Sequence, residues 1–378
     1  MNPTKKKKLV FISQDFYPDI GGITTWCHQF AYHFSLLGWN VDMICKSANG
    51  KENIKSNYNI KGIEYKNWKR DKYKLIRKVI SKYNFKNTIF ICSNWKMAIP
   101  CYQLSYFNQI NYYVAIHGLD AIEGRKLNNL LKRRVLINST GVVFASSYTR
   151  SLIKKEKFIN KLSHRLIHNA VDINIFKKLD NIDRIKNKYQ LKECIRLFSI
   201  GRIIDRKGLD YTIEAISELK EYDIHYYIGG KGDYQKYLKK LVKKLNLEDK
   251  VSFLGFIPDQ DLIELYNASD IFMMPSRNVG GWNVEGFGIT YLEAAACGST
   301  SVGGRNSGAE DAIIDNITGL LADPNSVEDI RTKIKILIEN KELRKKLAEN
   351  AYNRVLKEMK WTDATAKFDK FINKKIYK

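Results

Sequence analysis

The chain has 378 residues, 44% of them hydrophobic, enough for two domains with cores of their own. Its 64 Lys and Arg against 40 Asp and Glu leave a formal charge of +24, which points to an anionic partner. No apolar run is long enough to span a bilayer, and the six cysteines are dispersed with no Cys-x-x-Cys pair. That argues against a disulfide scaffold or a zinc site and fits reduced thiols in a cytoplasmic protein.

Lys5 to Lys8 would suit the start of a signal peptide, but the apolar run 9–12 that follows is too short for one and reads as a first strand. A helix is predicted over 24–37, and strands over 41–45, 88–92, 112–116 and 142–145, with helical stretches between. Such alternation predicts a parallel, doubly wound sheet. A polar connector covers 169–193, and then the pattern restarts. Strand 195–200, helix 209–219 and strand 225–228 lead into Gly229-Gly230-Lys231-Gly232. A lysine-rich helix (234–245), strand 251–254, helix 259–267 and strand 271–274 follow, and from 327 onward the chain reads as helical. This is an α/β protein of two Rossmann-like domains facing a central cleft, with ligands at the carboxyl ends of the strands. The expected boundaries are 1–170 and 171–357, with a helix over about 358–378 packing back on the first domain.

Chemistry concentrates in the stretch that leads from Asn283 to Gly298. Behind the approach Val279-Gly280-Gly281-Trp282, the residues Glu285-Gly286-Phe287-Gly288 feed a short buried helix that begins at Ile289 and stops at Gly298. Bare amides at the positive end of a helix make an anion site suited to a phosphate or diphosphate. Glu285 and Glu293 bracket it, on the order of 12 Å apart at helical rise, and carboxylates accept sugar hydroxyls well. The competing reading is a helix N-terminal Glu plus a structural salt bridge. Gly201-Arg202 and Arg206-Lys207-Gly208 fall where a strand ends and a helix begins, placed either to clamp a diphosphate or to form a solvated basic loop. Arg206 reads as a surface residue. Gly21-Gly22 follow the first strand in a turn that lets a ligand approach the backbone, and they are not the Gly-x-Gly-x-x-Gly of a dehydrogenase. His117 ends a strand and aims at the cleft, although a lone His is more often structural. Ser147 reads as a helix N-cap.

Taken together, these residues resemble the retaining glycosyltransferases of family 4, which have the GT-B fold. Gly201-Arg202-x4-Lys207-Gly208, the glycines at 229–232, and Glu285 through Glu293 to Gly298 stand in the family's order and spacing. The resemblance spans nearly the whole chain, and residues 277–284 are similar to a subgroup that includes mannosyltransferases. It implies that Arg202 and Lys207 neutralise the departing nucleotide diphosphate, with no cofactor and no metal ion. Glu285 would bind hydroxyls of the transferred sugar and Glu293 the ribose, and backbone amides from Phe287 through Gly288 and Ile289 to Thr290 would meet phosphate. His117 would contact the donor sugar near the reacting carbon. Gly21, Gly22, Gly201 and Gly286 belong to the implied donor site, and Asn169 and Asp172 to the interdomain crossover.

The implied activity is metal-independent, retaining transfer of a hexosyl group from a GDP- or UDP-linked sugar to a hydroxyl of a glycan or lipid-linked acceptor. Its setting would be cell-surface polysaccharide or glycolipid assembly, such as lipopolysaccharide or capsule. A nucleotide-sugar epimerase on the same fold is the alternative. A basic nucleic-acid-binding protein is a further one, but no RNA- or DNA-binding module is recognisable, so no nucleic-acid partner is expected. The expected location is cytoplasmic and peripheral on the inner membrane face, with the basic stretches 69–86 and 130–135 on anionic lipid. Ordinary core-facing helices with charged outer faces are the other reading of those stretches.

Overall fold

The computed structural model describes residues 8–14, 16, 21–46, 57–64, 66–118, 120, 126–154, 157–280 and 284–376. Lys5 to Lys7 and the approach residues Gly281, Trp282 and Asn283 lie outside them. The chain divides into two compact units, Met1–Asn169 with Trp361–Lys378, and Ala170–Lys360.

Unit 1 is a seven-stranded parallel sheet of β1 (Lys8–Ser13), β2 (Asn40–Lys46), β3 (Asn59–Ile63), β4 (Thr88–Cys92), β5 (Asn111–Ile116), β6 (Gly141–Phe144) and β7 (His164–Leu166). The strand order is β3-β2-β1-β4-β5-β6-β7. Its helices are α1 (Gly22–Leu36), α2 (Trp68–Ile80), α3 (Ile99–Leu104), α4 (Lys126–Ile137) and α5 (Ser147–Lys154). Strands β4 and β6 are buried along their whole length, as a sheet covered on both faces requires. The edge strand β3 is mostly exposed and escaped the sequence reading. It is held to β2 by Asp42, which takes Lys61 at 2.7 Å, Tyr83 at 2.6 Å and Asn59 at 3.1 Å.

Unit 2 holds β8 (Ile195–Ile200), β9 (Ile224–Gly229), β10 (Val251–Gly255), β11 (Ile271–Met274), β12 (Thr300–Gly304) and β13 (Leu320–Ala322), all parallel, in the order β10-β9-β8-β11-β12-β13. Its helices are α6 (Asp183–Tyr189), α7 (Leu209–Ser217), α8 (Gln235–Lys244), α9 (Asp259–Ala268), α10 (Ile289–Ala296), α11 (Ala309–Ala312), α12 (Val327–Glu339) and α13 (Lys341–Glu358). The order reverses between β8 and β11, the switch point outside whose carboxyl ends a sheet of this topology takes a ligand in a crevice.

A final helix, α14 (Trp361–Ile376), belongs to unit 1. It packs on α1 through aromatic edges, Phe30 against Trp361 at 5.3 Å and Phe34 against Phe368 at 5.6 Å. Among the described residues no helix is long and apolar enough to cross a membrane.

The predicted strands and helices recur within a few residues at each end. The connector 169–193 is a correction, because it contains α6. That helix is fixed by the buried Asp261 of α9, which takes Arg184 at 2.9 Å, Lys188 at 2.6 Å and the Tyr189 hydroxyl at 2.8 Å. Ser147 is also corrected as a cap. It is the first residue of α5, and Ser146 Oγ accepts the Thr149 N–H at 2.9 Å instead.

Candidate functional site

The crevice beside β8 and β11 receives the residues that the sequence singled out in unit 2. After β8 the chain turns at Gly201, and a 3-10 turn over Asp205–Lys207 carries Arg206 and Lys207. Gly208 closes that turn with φ +71, and a Cβ there would lie 2.2 Å from the Pro275 carbonyl oxygen just past β11. Only glycine lets the corner press so closely on the neighbouring strand's exit. The corner is pinned again by Arg277, whose N–H donates to Arg206 O at 2.9 Å. The Arg277 guanidinium grips the buried Asp210 of α7 with two hydrogen bonds of 3.0 and 2.7 Å. Tyr234 adds a third bond to Asp210 at 2.9 Å, and Tyr211 lies under the guanidinium at 4.5 Å.

Glu285 arrives opposite this corner on the loop that runs into α10. Its backbone carbonyl accepts the Gly308 N–H at 2.9 Å. Its Oε2 accepts from both Arg206 Nη1 and Lys207 Nζ at 2.7 Å, with Ser276 Oγ at 3.5 Å. The three charged side chains are 9 to 13% exposed. Burial pushes the Glu285 carboxyl up, but Lys207 and Arg206 together outweigh it and hold the group well below the usual carboxylate range. Burial lowers Lys207, whose ammonium is favoured by Glu285 and disfavoured by the Arg206 and Arg202 charges. The reading of Arg206 as a surface residue is therefore wrong: it is 7% exposed and ion-paired inside the site.

Arg202 is exposed, and among the described residues its guanidinium forms no ion pair. Gly201 beside it is exposed with φ +148. Gly286 lies between Glu285 and the buried Phe287. The residue before α10 is Gly288, with φ +85, and a Cβ there would meet the Tyr291 ring at 2.4 Å. No side chain caps this helix start. Ile289 and Thr290 begin the first turn half-buried, and Thr290 Oγ1 is buried without a hydrogen-bond partner. The end thus presents backbone and hydroxyl donors with positive helix polarity behind them.

Glu293, one turn further on, is half-buried and accepts the Tyr266 hydroxyl at 2.8 Å. Among the described residues no cation pairs with it, so the structural salt bridge considered from sequence is absent there. Burial raises its carboxyl to about 7, against the Tyr266 hydrogen bond.

Three of the residues implied for the donor site, Gly21, Gly22 and His117, belong to unit 1. Gly21 and Gly22 are exposed at the uncapped start of α1, and a Cβ at either would meet nothing within 4 Å. His117 follows β5, its N–H bonded to Asp120 Oδ1 at 3.0 Å and its ring edge-on to Trp26 at 5.0 Å. Its Nε2 is buried with no hydrogen-bond partner, and burial lowers the ring to about 4 against a hydrogen bond to the Ser93 backbone. The imidazole is neutral near pH 7 and is limited to hydrogen bonding there.

Residues 181–354, which include the whole cluster around Glu285, match the family described as glycosyl transferases group 1. Unit 2 carries a glycosyl transferases group 1 domain. Over 206 residues the chain is 34% identical to the GDP-mannose-dependent alpha-(1-6)-phosphatidylinositol monomannoside mannosyltransferase of Mycolicibacterium smegmatis, covering 53% of this chain and 54% of that one. The chain thus spans about half the length of that relative. Among solved structures, a glycosyltransferase from Rickettsia africae superposes with a TM-score of 0.84 at 22% identity, over 99% of this chain and 100% of that one. Anabaena HepE, solved with UDP-glucose, gives 0.83 at 18% identity, over 97% of this chain and 100% of that one. The fold is GT-B, with two Rossmann-like units.

Arg206, the Asp210–Arg277–Tyr234 clamp and Tyr266 were missed as parts of the site. Arg206 had a signal in its place beside Lys207 and Gly208. Tyr266 and Arg277 had none, because only the fold brings them to Glu293 and Asp210.

Proposed function

We propose that the protein is a glycosyltransferase that moves a hexosyl group from a nucleotide sugar to a hydroxyl acceptor, with retained anomeric configuration and without a metal ion. The observation that carries this reading is the arrangement around Glu285. Two cations converge on one carboxylate. Arg202, which forms no ion pair among the described residues, is close enough to act on Lys207, and an uncapped helix start follows Glu285 on the same loop. The surplus positive charge suits a diphosphate leaving group.

In the proposed reaction the bond from the anomeric carbon to the diphosphate loosens first, giving an oxocarbenium-like centre. Arg202, Lys207 and the α10 amides take up the charge that builds on the leaving phosphate. The acceptor hydroxyl attacks from the same face, and a leaving phosphate oxygen takes its proton, so no side-chain nucleophile is required. Glu285 holds hydroxyls of the transferred sugar and Glu293 those of the ribose. The names of the relatives make GDP-mannose the first donor to try and UDP-glucose the second, with a lipid-linked glycan as acceptor.

The decisive test incubates each donor with candidate acceptors, with and without EDTA, and assigns the product's anomeric configuration by NMR. Retained configuration and unchanged turnover in EDTA are expected. An inverted product, or a sugar isomerised from donor alone, would overturn the reading. We further propose that the enzyme works in glycolipid or cell-surface polysaccharide assembly, with unit 1 resting on an anionic membrane face. Support comes from Phe107 and Tyr106, which are 87% and 65% exposed just past α3, where Arg77 reaches Gln103 and the Arg134 charge acts on Tyr102.

A further inference from the structure

We infer that Arg206 is the permanent counter-ion of Glu285 and Lys207 a temporary one, so that Lys207 is released to a bound diphosphate while Arg206 keeps Glu285 ionised and aimed. This rests on reading the crevice as a diphosphate site.

Both cations meet the same oxygen, Glu285 Oε2, at 2.7 Å, which is one positive charge more than the carboxylate needs. They are not held alike. The Arg206 N–H donates to Asp205 Oδ1 at 2.6 Å, and its carbonyl accepts from Arg277, itself locked on Asp210. Those two bonds fix the Arg206 backbone on both sides, where the Lys207 N–H has one bond, to Ile204 O at 3.1 Å, and the guanidinium on that fixed backbone is planar and always charged. Lys207 carries a point charge on a flexible stem, and the neighbouring Arg206 and Arg202 both repel it.

A diphosphate entering beside Arg202 adds at least two negative charges and attracts the freer cation. Once Lys207 moves, one guanidinium still balances one carboxylate. Without Arg206 the same move would strand a nearly buried carboxylate beside a polyanion. Glu285 would then take up a proton and lose half its capacity to accept sugar hydroxyls. Among the described residues no other group facing it supplies charge. Ser276 approaches from the β11 exit, and Tyr291 from α10 is kept neutral by burial and by Glu285 itself, with its hydroxyl donated to Met274 O. Arg206 is thus a positioning residue, and it acts through Glu285.

The test follows the Glu285 carboxylate by carbon NMR in protein with labelled glutamate, assigned with Glu285→Gln. The proteins are wild type, Arg206→Met, Arg206→Lys and Lys207→Met, each titrated with pH before and after GDP or UDP. In wild type, Glu285 should stay ionised throughout. In Arg206→Met it should be ionised alone, then move up by about a pH unit or more once nucleotide draws Lys207 away, with partial recovery in Arg206→Lys. In Lys207→Met, nucleotide should leave it unmoved. With donor sugar, Arg206→Met should lose about tenfold or more in kcat with its acid limb shifted upward, while its affinity for GDP or UDP changes by less than about threefold. Thermal melts confirm folding, and Arg206→Lys carries the test if the Met variant does not fold. An unmoved carboxylate in Arg206→Met, no recovery in Arg206→Lys, or a loss of nucleotide affinity equal to that of Lys207→Met would overturn the inference and leave the transferase reading intact. Failure of wild type to bind either nucleotide would sink both.

Discussion

At the residue scale, the fold gives two carboxylates on one loop and helix opposite protonation tendencies. Glu285 is pinned ionised by two cations, while Glu293, hydrogen-bonded to the Tyr266 hydroxyl, is raised to about 7 by burial and, in a smaller measure, by the Asp259 charge. The native protein therefore binds a proton at Glu293 that the unfolded chain releases above its ordinary 4.5. Stability from this group is full below about 4.5 and declines as pH rises towards 7. Glu293→Gln should flatten that part of the stability–pH curve, measured by urea unfolding, and an unchanged slope would contradict it. Ribose binding has the opposite sign, because the ionised form accepts hydroxyl protons best. Nucleotide affinity should fall as pH drops through about 7 in wild type, but not in the Gln variant, measured by calorimetry. For Lys207, removal of the ammonium by Lys207→Ala should raise the transfer barrier by ~3–4 kcal/mol, the size of a lost oxyanion contact, and an unchanged kcat would refute its role. Glu285 and Lys207 were legible because their spacing and glycines survive without the fold. Arg206 was not, since an Arg-Lys pair on a loop reads as solvated until Gly208 and Pro275 fold the turn inward.

At the element scale, strongly alternating segments such as β8 and α7 announced themselves, while elements held by partners elsewhere did not. Helix α6 has the unpromising sequence Asp-Arg-Ile-Lys-Asn-Lys-Tyr and depends on Asp261 of α9. Strand β12 reads Thr-Ser-Val-Gly-Gly and is a strand because β11 and β13 flank it in register. The exit of β11 has the same character. Arg277 ties it to the start of α7 through Asp210, with side chains 13% and 5% exposed. Truncation with Arg277→Met leaves Asp210 buried with Tyr234 as its remaining bond and should cost about 3–5 kcal/mol in urea unfolding. The double variant Arg277→Met, Asp210→Leu should recover a large part, because it removes the stranded charge as well. Additive losses in that cycle would show that the two side chains stabilise the corner independently.

At the scale of the whole molecule, a formal charge of +24 gives a long-range attraction to anions that composition already revealed, but not where it is used. The basic stretch 69–86 is open in sequence to two readings, a surface for anionic lipid and a core-facing helix with a charged outer face. Its apolar side chains face the core: Trp68, Ile76 and Ile80 are buried, and Tyr73, Leu75, Val79 and Tyr83 pack against the unit 1 core. What α2 leaves outside is Lys69, Arg70, Lys74, Arg77 and Lys78, an all-cationic surface apart from the partly exposed Asp71. Arg77 reaches Gln103 on α3 at 3.4 Å, and just past α3 stand Tyr106 and Phe107. The Arg134 charge of α4 acts on Tyr102 in the same neighbourhood, and Leu130 is 48% exposed. Cations flanking exposed aromatics match the headgroup layer of an anionic membrane, at about 1 kcal/mol per Lys or Arg near the surface and roughly 1.5–3 kcal/mol for a buried Phe. The full-length protein should co-sediment with vesicles containing phosphatidylglycerol and leave neutral phosphatidylcholine vesicles empty. Salt near 1 M, where the Debye length is about 3 Å, should release it. Phe107→Ser should weaken binding at every salt concentration, whereas Lys74→Glu with Arg77→Glu should remove its salt dependence along with most of the affinity. Equal binding to both lipids would make the cationic face irrelevant, and no binding to either would return these helices to their ordinary role of covering a sheet.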